Sequence, residues 1–196
     1  MLWGLAILLD VVAAAVGGQA EGWNLHPEHF GERYGLFVII ALGETLIVAA
    51  GTVTDAVWTD DLLALAVLAV AITCALWWSY FPRSKPVLDR ALESSLGTER
   101  TMMARDVFSL IHFPMMCGVI AYAVSVEAAV AHPDQPLSLA SRLALAAGLV
   151  LFVGGMAAAV WRATRRLLLP RVVLTALTAV AIVAVAGIPS LLTLAV

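Results

Sequence analysis

Apolar positions in this chain come in long unbroken runs, not in the narrow stripes of a soluble helix or the alternation of a half-buried strand. Six runs approach the roughly 20 residues that cross a hydrocarbon core of about 30 Å. They are Met1–Gly18, Gly35–Val53, Leu62–Phe81, Val107–Ala131, Leu137–Trp161 and Leu167–Ile188. A seventh begins at Pro189 and reaches only Val196. Unpaired backbone in lipid is costly, so each run is predicted to be a helix, and none has the roughly ten-residue alternation of a membrane barrel. The predicted fold is all-α: a polytopic α-helical membrane bundle of six spans plus a partial seventh, one transmembrane domain over residues 1–196. Between the third and fourth runs, Val87, Leu88, Ala91, Leu92 and Leu96 share a face behind Pro86. That pattern predicts a short helix over about 86–96 lying on the membrane surface.

Composition supports a lipid environment. Hydrophobic residues make up 62% of the chain and charged ones 13%, whereas a soluble domain carries about 25% charge to coat its surface. A net charge of −3 with no basic face argues against a nucleic-acid partner. Cys74 and Cys117 sit inside apolar runs with no metal-ligand spacing around them, and read as small buried hydrophobes.

The basic residues fall on alternate connections. Arg83, Lys85, Arg90, Arg100 and Arg105 lie in Pro82–Asp106; Arg162, Arg165, Arg166 and Arg171 lie around the fifth connection; Arg33 lies in the first. The second connection instead carries Asp55, Asp60 and Asp61, and Arg142 alone breaks the asymmetry. Lysine and arginine stay inside, so the basic segments 82–106 and 162–171 are expected to be cytoplasmic in a protein of the bacterial inner membrane. Both ends of the chain then fall at or within a span, which suggests part of a longer protein, with the absent N-terminal spans or a homo-oligomer as partners beside the bilayer. Trp58 on the outer side, and Trp23, Trp77, Trp78, Tyr80 and Trp161 on the inner, read as interfacial anchors. Ala144/Gly148, Gly154/Ala158 and Gly155/Ala159 give the fifth run small faces for helix packing.

Ionisable groups within the bilayer cost about 2.5–3.5 kcal/mol each on insertion scales, so each needs a reason. Asp10, Glu44 and His112 are the clear cases. Counted at about 1.5 Å per residue from the ends of their runs, all three fall about 12–15 Å from the inner surface. One polar layer is therefore expected, serving either proton or ion handling or a structural knot that fixes helix register. The fourth run opens with Arg105, Asp106, Ser109, His112 and Pro114. Arg105, Ser109 and His112 follow one stripe, and Pro114 frees the carbonyl of Leu110. His26, His29 and Glu32 have loose metal-ligand spacing, but the spread around a helix favours no metal and no cofactor is expected. No nucleophile-plus-base grouping emerges, so an enzyme is not expected.

Two stretches resemble a known family. The run His29-Phe-Gly-Glu-Arg-Tyr-Gly-Leu-Phe-Val-Ile-Ile-Ala-Leu-Gly-Glu44 is similar to the central motif of the bacterial low temperature requirement A (LtrA) family. The later Arg105-Asp-Val-Phe-Ser-Leu-Ile-His-Phe-Pro-Met-Met-Cys-Gly118 resembles a second stretch of the same family, in the same order. The resemblance implies a multi-spanning membrane protein and singles out His29, Glu32, Arg33, Gly35, Gly43, Glu44, Asp106, His112 and Pro114. It also implies further N-terminal spans, and a link to growth in the cold with no established molecular activity. Two readings stay open: proton- or ion-coupled transport through the carboxylate/histidine layer, or a non-transporting scaffold or lipid-responsive protein.

Overall fold

The computed structural model describes residues 2–17, 25–53 and 58–195; Trp23, Asp55 and both terminal residues lie outside them. Its helices are α1 (Leu2–Gly17), α2 (Pro27–Thr52), α3 (Asp60–Ser94), α4 (Gly97–Ala131), α5 (Leu139–Thr164), α6 (Leu169–Ala184) and α7 (Ser190–Ala195), with no strand among the described residues. Four of them, α2 to α5, are long and apolar enough to cross a membrane. Helices α1 and α6 have 16 residues each, about 24 Å of rise. The six runs expected to span thus become four spanning-length helices and two shorter ones.

The sixth run shows why. Its hydropathy continues to Ile188, but the helix stops at Ala184 and the chain turns through Gly187 at φ +80° ahead of Pro189. The carbonyls of Val183 and Val185 at that end both accept from Nη1 of Arg142 on α5. The single arginine that broke the charge asymmetry is therefore a side-chain cap for a neighbouring helix.

Helix α3 does not stop where its apolar run stops. Pro82 has no N–H to give to the carbonyl of Trp78, and the helix widens into a π-helical turn over Tyr80–Ser84. Side chains take up carbonyls there: Arg83 Nη1 donates to Trp78 O at 3.5 Å and Ser84 Oγ to Ser79 O at 3.2 Å. The helix then continues to Ser94. The segment expected to float on the membrane surface is instead docked, because α2, α4 and α5 offer its apolar face a protein surface. Leu88 and Leu92 are buried with Val107 and Phe108 of α4 and Ala159 and Val160 of α5. Leu96, expected on the same face, lies beyond the helix end and is exposed. Gly31 and Gly35 of α2 make the approach feasible. A Cβ on the first would sit 2.6 Å from Asp89 Oδ1, and on the second 2.9 Å from Lys85 Cε.

A second close approach joins α4 to α5. A Cβ on Gly118 would lie 2.8 Å from Gly148 O, and one on Gly148 would lie 2.8 Å from Gly118 O. Ser125 Oγ bonds Ser141 O across the same pair at 3.0 Å. Gly148 thus packs as its run predicted, while Gly154 faces open space.

Candidate functional site

The two irregular helices meet at their irregularities. Helix α4 is π-helical over Ala104–Ile111, immediately before His112 and just ahead of Pro114, whose missing N–H leaves Leu110 O without its usual partner. The His112 backbone N–H bonds Ser109 O, while its ring Nδ1 lies 2.8 Å from Val107 O. A carbonyl only accepts, so Nδ1 carries the proton of that bond. In the neutral ring Nε2 is then an acceptor, and the Tyr80 hydroxyl, 2.8 Å away on the π turn of α3, donates to it. Both residues are inaccessible, Tyr80 at 0% and His112 at 2% exposure.

Aromatic rings close the surroundings. Phe108 stacks on the imidazole at 5.5 Å between centroids, and Tyr34 of α2 presents an edge at 5.4 Å. The Tyr34 hydroxyl is 2.9 Å from Ser109 Oγ. Ser109 also borders a cavity of about 240 Å³ lined by Asp10, Ile7 and Val11 of α1 with Ser109, Leu110 and Phe113. Further along α3 from Tyr80, Lys85 Nζ pairs with Asp89 Oδ2 at 2.6 Å, while Asp89 Oδ1 is buried with no hydrogen-bond partner.

The expected three-residue layer is not assembled. Asp10 lines the Ser109 cavity, His112 is sealed behind Tyr34, and Glu44 is exposed on another face. The Tyr34–Ser109 bond puts those two positions level on parallel helices. Glu44 is ten residues beyond the first and His112 three beyond the second, so the pair is staggered by about 10 Å. The hydropathy run does not mark the start of α2, which begins at Pro27, a full two turns earlier. Glu44 shares a groove with Glu127 of α4.

The other motif residues serve several settings. Asp106 is held by Arg105 at 2.6 Å and by Arg162 of α5 at 2.9 Å, and Arg162 also reaches Glu99 at 3.1 Å. His29 and Glu32 form an exposed pair at 3.5 Å; no group of three potential ligands that could hold a metal occurs among the described residues. Arg33 is exposed beside Leu36, Phe37 and Ile40, Gly35 receives Lys85, and a Cβ on Gly43 would meet nothing within 4 Å.

Tyr80, by its position an expected interfacial anchor, is instead the buried partner of the histidine; Trp58, Trp77, Trp78 and Trp161 do face outward. Tyr34, Lys85, Asp89 and Glu127 were also missed. A phenol beside Pro82 and a glutamate within an apolar run were the available signals.

The sequence model of the bacterial low temperature requirement A protein (LtrA) family matches residues 1–196. The chain belongs to this family. An uncharacterized protein of Rhizobium meliloti (strain 1021) is 28% identical over 164 residues, covering 79% of this chain and 39% of the relative. The match thus takes in about two fifths of the relative's length. No solved structure matches. Within the LtrA family stretch, the two motifs resolve into one contact: Tyr34 of the first closes over Ser109 and His112 of the second.

Proposed function

We propose that this LtrA family chain is a non-enzymatic transport protein of the bacterial inner membrane, coupling passage of a substrate to a proton or ion at the His112 centre. In this reading α1 and α6 count as spans, giving six plus a partial seventh, and the basic segments 82–106 and 162–171 face the cytoplasm. The observation that carries it is the Tyr80–His112–Val107 chain, 2.8 Å at each step, set where two helices abandon regular geometry. π-Helical turns concentrate at functional sites, and ionisable groups within spans mark proton and ion routes. Asp10 lines the cavity at Ser109, which bonds the Tyr34 beside the imidazole. Asp89, with one unpartnered oxygen, follows Tyr80 along α3.

The test is a proteoliposome with a pH gradient and an entrapped pH dye. The wild-type chain is expected to dissipate the gradient faster than empty vesicles, and His112→Gln to abolish the difference while still inserting. Wild-type flux equal to empty vesicles, or full flux in His112→Gln, overturns the reading.

A second reading rests on a different observation: both ring nitrogens are bonded and the ring is 2% exposed. In it the centre is a knot that locks α3 to α4, and the chain is a scaffold or lipid-responsive protein supporting growth in the cold. It predicts no flux to lose and a lowered melting temperature in His112→Gln.

A further inference from the structure

The face of the bundle between α2 and α4 carries two outward acidic side chains, Glu44 eight residues before the end of α2 and Glu127 four before the end of α4. Phe37, Ile40, Glu44 and Val48 of α2 and Met116, Ile120 and Glu127 of α4 line a groove of about 410 Å³, with Glu127 about 12 Å further along the helices than Glu44 in the Tyr34–Ser109 register. Its floor is made low by Ala41 and Ala123, and its walls are exposed apolar groups: Phe37 is 54% accessible, Ile40 66% and Ile120 62%. Neither carboxylate has a hydrogen-bond or ion-pair partner among the described residues. Acids within spans almost always face the bundle interior and pair there. These two look outward, so the bundle as it stands ends one layer short on this side.

We infer that this groove seats a further transmembrane helix bearing a basic side chain at the depth of Glu44, supplied by the part of a full-length family protein outside the matched stretch. Charge decides the chemistry of the occupant: a cation at the level of Glu44 pairs with that carboxylate, with apolar walls shielding the pair from competing water. Chain length supplies the source, since the match covers only 39% of the relative and leaves further chain to provide a helix. A second copy fits less well. Copies inserted with one orientation are related by an axis along the membrane normal, which brings carboxylate against carboxylate at equal depth. A water-soluble partner does not reach this depth.

The probe is a synthetic Leu/Ala membrane peptide of about 21 residues with one central lysine, compared with the same peptide carrying a central leucine. The protein bears a donor fluorophore on a terminal tag, the peptide an acceptor, and both are reconstituted in phosphatidylcholine vesicles. Energy transfer is expected to reach half-saturation at about tenfold lower peptide-to-lipid ratio for the lysine peptide, the scale of one interhelical polar contact in model peptides. Glu44→Gln/Glu127→Gln is expected to erase the difference, and Ala123→Trp, which fills the floor without touching charge, to block both peptides. Ala123→Trp decides the matter if the double variant does not fold. Equal transfer from both peptides, undiminished transfer in the variants, or a peptide-free dimer that closes the groove overturns the inference.

Discussion

Tyr80→Phe removes one oxygen from the buried centre and leaves the ring in place. The imidazole Nε2 then loses a donor 2.8 Å away, in a site where His112 is 2% exposed and Phe108 and Tyr34 cover the remaining approaches. Stranding a buried acceptor costs about 1–3 kcal/mol, whereas replacing both partners by apolar groups of like shape is close to neutral. Tyr80→Phe is therefore expected to lower unfolding stability by about 1–3 kcal/mol. His112→Phe costs more, since it also releases Val107 O. The double variant should be less damaged than the sum of the two, with a coupling of about 1–2 kcal/mol. The Val107 contribution appears in both arms of the cycle and cancels. The assay is denaturant unfolding in detergent for the four proteins, with side-chain ¹⁵N shifts reporting which nitrogen holds the proton. A Tyr80→Phe protein within about 0.5 kcal/mol of wild type, the scatter of inert substitutions, would refute the assignment. So would a proton found on Nε2 instead of Nδ1.

Three further outcomes follow from the packing. Gly148→Ala places a methyl 2.8 Å from Gly118 O and 2.9 Å from Tyr122 N, backbone atoms that cannot swing aside. It should cost about 1–3 kcal/mol in the same unfolding assay, whereas Gly154→Ala meets nothing within 4 Å and should be neutral or stabilising by up to about 1 kcal/mol. Arg142→Met strands the carbonyls of Val183 and Val185; hydrogen exchange should accelerate over 181–186 while the α4–α5 pair stays protected. Asp106→Asn leaves Arg105 and Arg162 facing each other without their shared charge; it should cost about 1–2 kcal/mol, and less at high salt, read by unfolding at two ionic strengths.

The helical class and the course of most helices were legible because hydropathy runs report burial in lipid directly. Helix ends were not, because the runs ignore backbone chemistry. Gly187 and Pro189 cut the sixth run short, and Pro82 failed to end α3 because side chains of Arg83 and Ser84 took up carbonyls at the wide turn. His112 was legible from its cost alone. Its partner Tyr80 was not, since a tyrosine near a membrane boundary is ordinarily an anchor and nothing local distinguishes one that points inward. Asp89 and Lys85 were obscured by the expectation of a surface helix, where a charged pair needs no explanation.

Glu44 and His112 carried the same signal in sequence and part ways in space for a reason that lies in helix rotation. The buried positions of α2 are Gly31, Gly35, Val38, Leu42 and Thr45, spaced by four and three, the stripe of a helix packed on its neighbours. Glu44 is one residue off that stripe and so turned about 100° away. On α4 the buried stripe includes His112, Met115, Val119, Tyr122, Val126 and Ala129, with Glu127 one residue beyond it. In a water-soluble helix the polar face would have marked the outside and given the rotation away. Here the outside is apolar too, as exposed Ile40, Ile47 and Ile120 attest, and hydrophobic periodicity is silent. Close approach is what shows on the inward face of α2: Gly31 and Gly35 meet Asp89 and Lys85 of α3, while Gly43 and Gly51 meet nothing within 4 Å. A carboxylate one residue off a buried stripe belongs to the shoulder of its helix. Glu44 and Glu127 occupy such shoulders on helices running in the same direction, and so border one groove.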